Sequence, residues 1–258
     1  MNEAIAALVR RHDPDRFLTA LFAPPEKRDA LLTAVFEPRS NTARTKTLQT
    51  GFMRALALIR LQWWREAVEG PRRRHEVAEP LFAAIAAGAF RRDDLLALID
   101  AREVEAEPAI ATMDDWRAYL LSSAGGLAVA AARLLGAPDP EGFRRFGAAY
   151  GLAGVLRSVA AHARQGRCML PEDVLADHGL TREQVIAAPA SAHAVMQRLV
   201  NEGVALAGGK VRLPRQVVAA ALPVVLARRD FRRVPGLTMQ RGLGDRMAAT
   251  LAGLTGRI

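Results

Sequence analysis

An all-α fold is what this sequence predicts, and three features predict it. Half of the 258 residues are hydrophobic and only 5% are aromatic; alanine, the best helix former, is abundant, while runs of β-branched or aromatic residues are scarce. Apolar residues recur three and four positions apart along most of the chain, the period of a helix buried on one side. Pro and Gly clusters separate those stretches, at Pro24-Pro25, at Gly136-Ala137-Pro138-Asp139-Pro140 and at Gly208-Gly209, where helices are expected to stop. The length suffices for one large core, so residues 1–258 read as a single helical domain without internal repeats.

Each element has its own signal. Ile5, Leu8 and Val9 form a first stripe, and Asp13-Pro14 marks a break or a helix start. Phe17, Leu18, Leu21 and Phe22 make a second apolar face, and Leu31, Leu32, Val35 and Phe36 a third. In Ile59 to Val68, one face carries Ile59, Gln62, Trp63 and Glu66 and another carries Leu61, Trp64 and Val68, so this helix is covered on two sides. Gly70 to His75 is a basic linker, and Pro80 opens a helix that Gly88 ends. Asp93 or Asp94 is expected to cap the next helix, and Met113-Asp114-Asp115-Trp116 to begin another. Ser122 to Ala128 offers a small-residue surface that suits either tight helix packing or a cavity wall. Thr181 and Gln184 have capping-box spacing, and two last helices are expected over Ala192–Leu206 and Val217–Arg229.

Charge narrows the partners. The net charge is +9 and is concentrated in the C-terminal region, where from residue 203 to 258 ten basic residues stand against two acidic ones. Such a surface suits anionic lipid, an acidic protein or a diphosphate. Nucleic acid is excluded as a partner because no interleaved aromatics and no helix-turn-helix or zinc spacing accompany the arginines. The lone Cys168 precludes an internal disulfide and fits a reducing compartment. The first residues are polar and charged, unlike a secretory leader, and the longest apolar run, Val217 to Ala227, is too short to cross a bilayer. The expectation is a cytoplasmic protein with peripheral contact at the inner membrane through residues 203–258.

The residues that organise the chain lie between Ala148 and Leu175. Leu152, Val155, Leu156 and Val159 recur at helical spacing among Gly151, Ala153, Gly154, Ala160 and Ala161, which let a neighbouring helix or an apolar ligand approach closely. Arg157 and Arg164 fall near one side of that helix, and Gly166 is placed to end it before Arg167. This stretch resembles the squalene and phytoene synthase family, in which a metal-binding helix runs into a GR-x-x-LP exit. Gly166, Arg167, Leu170 and Pro171 match the exit, and Leu156, Arg157, Val159, Ala163 and Arg164 match the helix. Arg16 to Leu32 fits that family's N-terminal lead-in. The segment Ile59-Arg60-Leu61-Gln62-Trp63-Trp64-Arg65 resembles a subgroup that includes a mitochondrial complex I assembly factor. The resemblance implies a single helical domain of the isoprenoid synthase type around a central cavity.

The chain departs from that family in its acids. By resemblance, the family's magnesium ligands fall on Ser158, Ala161 and His162 in the central helix, and on Ala43, Arg44 and Thr47 in the earlier motif. Magnesium takes oxygen ligands, carboxylates first, so these residues do not rebuild its sites. The one remaining close acidic set, Asp100, Glu103 and Glu107, reads as an exposed helix end. No phosphate loop, zinc spacing or nucleophile elbow is present. No metal or catalytic residue is therefore expected, and magnesium enters only if the chain is an active synthase. The candidate cavity or diphosphate contacts are Arg39, Arg44, Arg60, Gln62, Trp63, Ser123, Tyr150, Arg157, Ser158, His162, Arg164 and Arg167. Two functions follow from the resemblance. One is a non-catalytic assembly factor for a respiratory membrane complex that holds a prenyl or lipid chain and contacts a subunit of that complex. The other is a prenyltransferase that condenses prenyl diphosphates head to head.

Overall fold

Capping chemistry sets where the chain turns into helix. The computed structural model describes residues 2–35, 51–70, 74–234 and 241–258. Helix α1 (Glu3–His12) begins where the Asn2 side chain accepts hydrogen bonds from the amides of Ala4 and Ile5. Helix α2 (Pro14–Ala20) follows without a linker because Asp13 caps it and Pro14 supplies its first turn. Helices α3 (Pro25–Val35), α4 (Gly51–Glu69), α5 (Ala78–Ala86) and α6 (Arg92–Ala101) complete the N-terminal half. Asp93 and Asp94 sit inside the first turn of α6, which has no side-chain cap; Asp94 instead pairs with Arg133.

The central hairpin is α7 (Met113–Ser122) and α8 (Ala124–Leu135). Thr112 is the cap of α7, accepting from the Asp115 amide at 3.1 Å, and the helix itself begins at Met113. Residues 113–135 are by composition apolar enough to span a membrane, yet they break at Ser123 and are mostly buried. They form core. After α8 ends at Gly136, which takes φ +81°, helix α9 (Arg144–Ala163) runs through the middle of the molecule and packs on α7, α8, α12 and α14.

The remaining helices close around α9: α10 (Glu172–Asp177), α11 (Arg182–Ala187), α12 (His193–Ala207), α13 (Val218–Ala221), α14 (Pro223–Phe231) and α15 (Leu243–Thr255). Thr181 and Gln184 form the expected capping box on α11. The single helix expected over Val217–Arg229 is instead two, because Pro223, which lacks an amide proton, starts α14 afresh. Among the described residues, β pairing is limited to two isolated bridges, Ile110 with Pro171 and Arg212 with Arg257.

Small residues decide how closely α8 and α9 cross. A Cβ on Gly147 would lie 2.3 Å from the Ala124 carbonyl oxygen and 2.6 Å from Ala128 Cβ; one on Gly151 would lie 2.7 Å from Ala124 Cβ. Gly154, one turn further on, has nothing within 4 Å of such an atom. The sequence leaves the small-residue surface open to two uses, and α9 makes both. Its N-terminal half packs tightly against α8, and one side of its C-terminal half faces open space while Leu156, Val159 and Ala163 stay buried.

Candidate functional site: a cationic cavity beside the central helix

That open space is a cavity of about 840 Å³ between α2, α7, α9 and the start of α15. Helix α9 supplies Tyr150, Gly151, Gly154, Val155, Arg157, Ser158 and His162 to its wall, residues that share one side of a helix. Helix α2 and its cap supply Asp13, Asp15, Arg16 and Phe17, helix α7 supplies Tyr119 and Leu120, Ser123 lines it at the α7–α8 break, and Arg241 and Arg246 close the far side. An apolar arm between α2, α8, α9 and α13 adjoins it, lined by Leu31, Leu127, Ala131 and Ala219, but holds only about 30 Å³. That is room for roughly one water molecule.

The cavity wall is positive. Among the described residues it carries six arginines against two aspartates, and those carboxylates are occupied. Asp15 Oδ2 accepts hydrogen bonds from Tyr150 Oη at 3.2 Å, from Arg157 at 3.1 Å and from Arg241 Nε at 2.9 Å. Arg241 also forks onto both oxygens of the buried Asp230, one of them at 2.8 Å, and Arg157 Nε lies 3.5 Å from Asp230 Oδ2. The Asp13 carboxylate accepts the Arg16 amide at 3.0 Å and pairs with the Arg16 guanidinium at 3.6 Å. Burial is affordable for these charges because each is matched. Arg241 thereby ties the C-terminal segment to α2 and α14.

The environment fixes the protonation states. Burial, then the charges of Asp13 and Asp15, push the Tyr150 hydroxyl well above its usual range, so it stays a neutral donor. Burial opposes the charge on Arg241, but Asp230 and Asp15 outweigh it and raise its pKa. Burial and the nearby Arg167 lower His162 to about 4, and its Nδ1 is buried without a hydrogen-bond partner. At neutral pH His162 is therefore an uncharged wall residue.

Of the residues expected at the site, the structure brings Ser123, Tyr150, Arg157, Ser158 and His162 together at this cavity. Arg167 lies just past α9 and hydrogen-bonds the Glu105 carbonyl, so it braces the exit segment. Arg164 is exposed at the end of α9. Arg60 and Gln62 face outward on α4, Gln62 reaching Glu66 at 3.4 Å, and neither lines the cavity. Trp63 packs edge-on against Trp64 at 4.9 Å and beside His75 at 5.1 Å, an aromatic cluster away from the cavity wall. The two-sided coverage expected of α4 is not found: the helix packs on α5 and α6 with Ala57, Leu61 and Val68 buried, while Ile59, Gln62 and Glu66 on the other face are exposed. Arg39 and Arg44 lie outside the described residues.

The sequence also hides some participants. Asp15 lies more than two hundred positions from Asp230 and Arg241, and nothing in their local spacing announces one network. The acidic set at Asp100, Glu103 and Glu107 resolves into ion pairs: Arg65 holds Asp100 and Glu103, and Arg54 holds Glu107. These pairs dock α4 on the end of α6. Cys168 is buried, which raises its thiol pKa and leaves it a small core residue.

A family model for squalene/phytoene synthase matches residues 9–242. The chain belongs to the squalene/phytoene synthase family. It is 26% identical over 188 residues to NADH dehydrogenase (ubiquinone) complex I, assembly factor 6, of Mus musculus, covering 69% of this chain and 55% of that one. It is 32% identical over 145 residues to the presqualene diphosphate synthase of Rhodopseudomonas palustris, covering 51% of each. The chain thus spans about half the length of these curated relatives. A dehydrosqualene synthase crystal structure superposes with a TM-score of 0.70 at 12% identity, over 98% of this chain and 94% of that one. A squalene synthase from Alicyclobacillus acidocaldarius does so with a TM-score of 0.60 at 18% identity, over 98% and 93%. The fold is the all-α isoprenoid synthase fold.

For this family the question is whether the wall suits magnesium. Ser158 and His162, where the resemblance places magnesium ligands, do line the cavity. A hydroxyl and a neutral imidazole are poor ligands for that hard cation. Asp13 and Asp15 are engaged by guanidinium or backbone donors, and among the described residues no three His, Cys, Asp or Glu side chains gather to hold a metal. The described residues do not fit the ion.

Proposed function

We propose that this chain is a non-catalytic squalene/phytoene synthase homologue that holds an anionic isoprenoid or lipid and serves the assembly of a respiratory membrane complex. The observation that carries the reading is a cavity wall in which arginines outnumber carboxylates among the described residues. Asp15 and Asp230 are each bridged by Arg157 and Arg241, and the wall as a whole is cationic. Arginine binds phosphate oxygens directly by paired N–H donors, so such a wall recruits an anionic headgroup without a metal. It does not do what the synthases' ions do, which is to neutralise a departing diphosphate. Similarity to complex I assembly factor 6 supports the assembly role.

A second reading, prenyl transfer with loss of pyrophosphate, is favoured by the similarity to presqualene diphosphate synthase. Incubation with labelled farnesyl and geranylgeranyl diphosphates, with and without magnesium, separates the two. The non-catalytic reading expects retention of the intact diphosphate and no pyrophosphate release. Magnesium-dependent turnover would establish the second. A membrane pull-down that recovers no respiratory subunit would count against the assembly role alone.

A further inference from the structure

Helix α15 is built inside out. Its small residues and its one carboxylate face the protein: Asp245 and Ala249 are fully buried, Ala252 nearly so, and Gly253 sits where a Cβ would meet the Phe22 ring at 2.5 Å. Its large apolar residues face outward, with Leu243 75%, Met247 61%, Leu251 63% and Leu254 55% exposed. At 100° per residue these four fall within an arc of about 80°, directly opposite the buried Asp245, Ala249 and Ala252. A helix that only packed on a core would carry the reverse pattern.

The surroundings of that stripe are cationic at both ends. Arg246 is exposed between Leu243 and Met247, and it also lines the mouth of the central cavity. At the other end, Leu254 shares an open groove of about 700 Å³ with Arg212, Arg215 and Arg257, all exposed. The groove is held in shape: Val211 and Ile258 exchange backbone hydrogen bonds at 2.9 Å, and the Leu213 amide donates to the Gly256 carbonyl at 2.8 Å. The sole carboxylate of α15, Asp245, is withdrawn into the protein between Arg229 and Arg233. An apolar stripe flanked by fixed arginines matches the chemistry of a bilayer surface, acyl chains under anionic headgroups.

We propose that α15 is an interfacial helix that docks the protein on an anionic lipid bilayer, with Leu243, Met247, Leu251 and Leu254 inserted and Arg212, Arg215, Arg246 and Arg257 on the headgroups. Because Arg246 belongs to both surfaces, docking places the cavity mouth at the membrane. The docking itself does not depend on what the cavity holds.

Flotation of the full chain with phosphatidylcholine vesicles, with and without phosphatidylglycerol, tests this. The wild type is expected to float with the anionic vesicles, to float little with phosphatidylcholine alone, and to lose binding as salt screens the arginines. The double variant M247E/L251E, altered only at exposed positions, is expected to keep its melting temperature and lose about tenfold or more in vesicle affinity. Failure to float with anionic vesicles, or equal flotation of the double variant, overturns the proposal. So does light scattering that shows a wild-type dimer which the same variant splits, since the stripe would then belong to a second copy. A result against docking leaves the diphosphate-retention assay untouched, and the reverse also holds.

Discussion

Helices α9 and α15 are both made of small residues on one side and large apolar ones on the other, and they use them in opposite directions. In α9 the large residues Leu152, Leu156 and Val159 are buried, and the glycines decide distance: Gly147 and Gly151 let α8 come close, while Gly154 leaves the cavity open. In α15 the small residues are buried and the large ones are turned outward. The difference separates two kinds of evidence in a helical protein. Burial of large residues reports the fold, whereas their systematic exposure reports a surface meant for something else.

The strongest way to break the comparison is to remove its tightest contact. Gly147→Leu would drive a side chain into the Ala124 carbonyl and Ala128, and a cost of about 4 kcal/mol or more is expected, because backbone must move. Thermal melts should show the protein largely unfolded. Gly154→Ala, two turns away and facing open space, is expected to stabilise by about 0.5 kcal/mol through helix propensity alone. Equal effects at the two glycines would contradict the division of α9 into a packed and an open half.

Next comes the buried anchor of α15. Asp245 is paired with Arg229 at 2.6 Å and Arg233 at 2.7 Å, and it accepts the Gly242 amide at 3.3 Å. Burial opposes its charge, but the two arginines outweigh that and hold its pKa well below the usual carboxylate range. Asp245→Asn removes the carboxylate from the half-buried Arg229 and the exposed Arg233, which solvent then screens in part, and is expected to cost about 1–2 kcal/mol in urea unfolding. The Asp245 contribution is present above the unfolded carboxylate range and is lost on acidification below it, so the variant should flatten the acid limb of the stability curve.

How far the sequence alone reached is plain from these sites. The all-α class, the break at Gly136–Pro140 and the Thr181 capping box were legible because they depend on local period and local capping, whereas Ser158 and His162, which line the cavity, were singled out through the family resemblance. Arg60, Gln62 and Trp63 were not placed well, because apolar residues on two faces of α4 suggested cover on both, whereas Ile59, Gln62 and Glu66 lie on an exposed face. The network of Asp15, Arg157, Asp230 and Arg241 joins residues more than two hundred positions apart, which no local pattern records. The outward stripe of α15 has ordinary helical spacing in sequence. Only the structure shows that the stripe points away from the core.

A pH-dependent effect distinguishes the cavity wall from ordinary core. His162 titrates near 4 in the folded protein against 6.5 in a free chain, so the unfolded state takes up the proton first. Stability is therefore unaffected above about pH 6.5, falls between about 6.5 and 4 by roughly 3 kcal/mol, and levels off below that. His162→Gln should remove this part of the slope and leave the rest. An unchanged slope would mean that His162 is solvated.

The central claim is that guanidinium groups stand where the family's ions would act, and calorimetric titration with inorganic pyrophosphate tests it most directly. In chelator the protein should bind pyrophosphate, excess magnesium should leave the Kd unchanged or weaken it, and Arg157→Gln should lose about tenfold or more. Binding that appears only when magnesium is added would contradict the account.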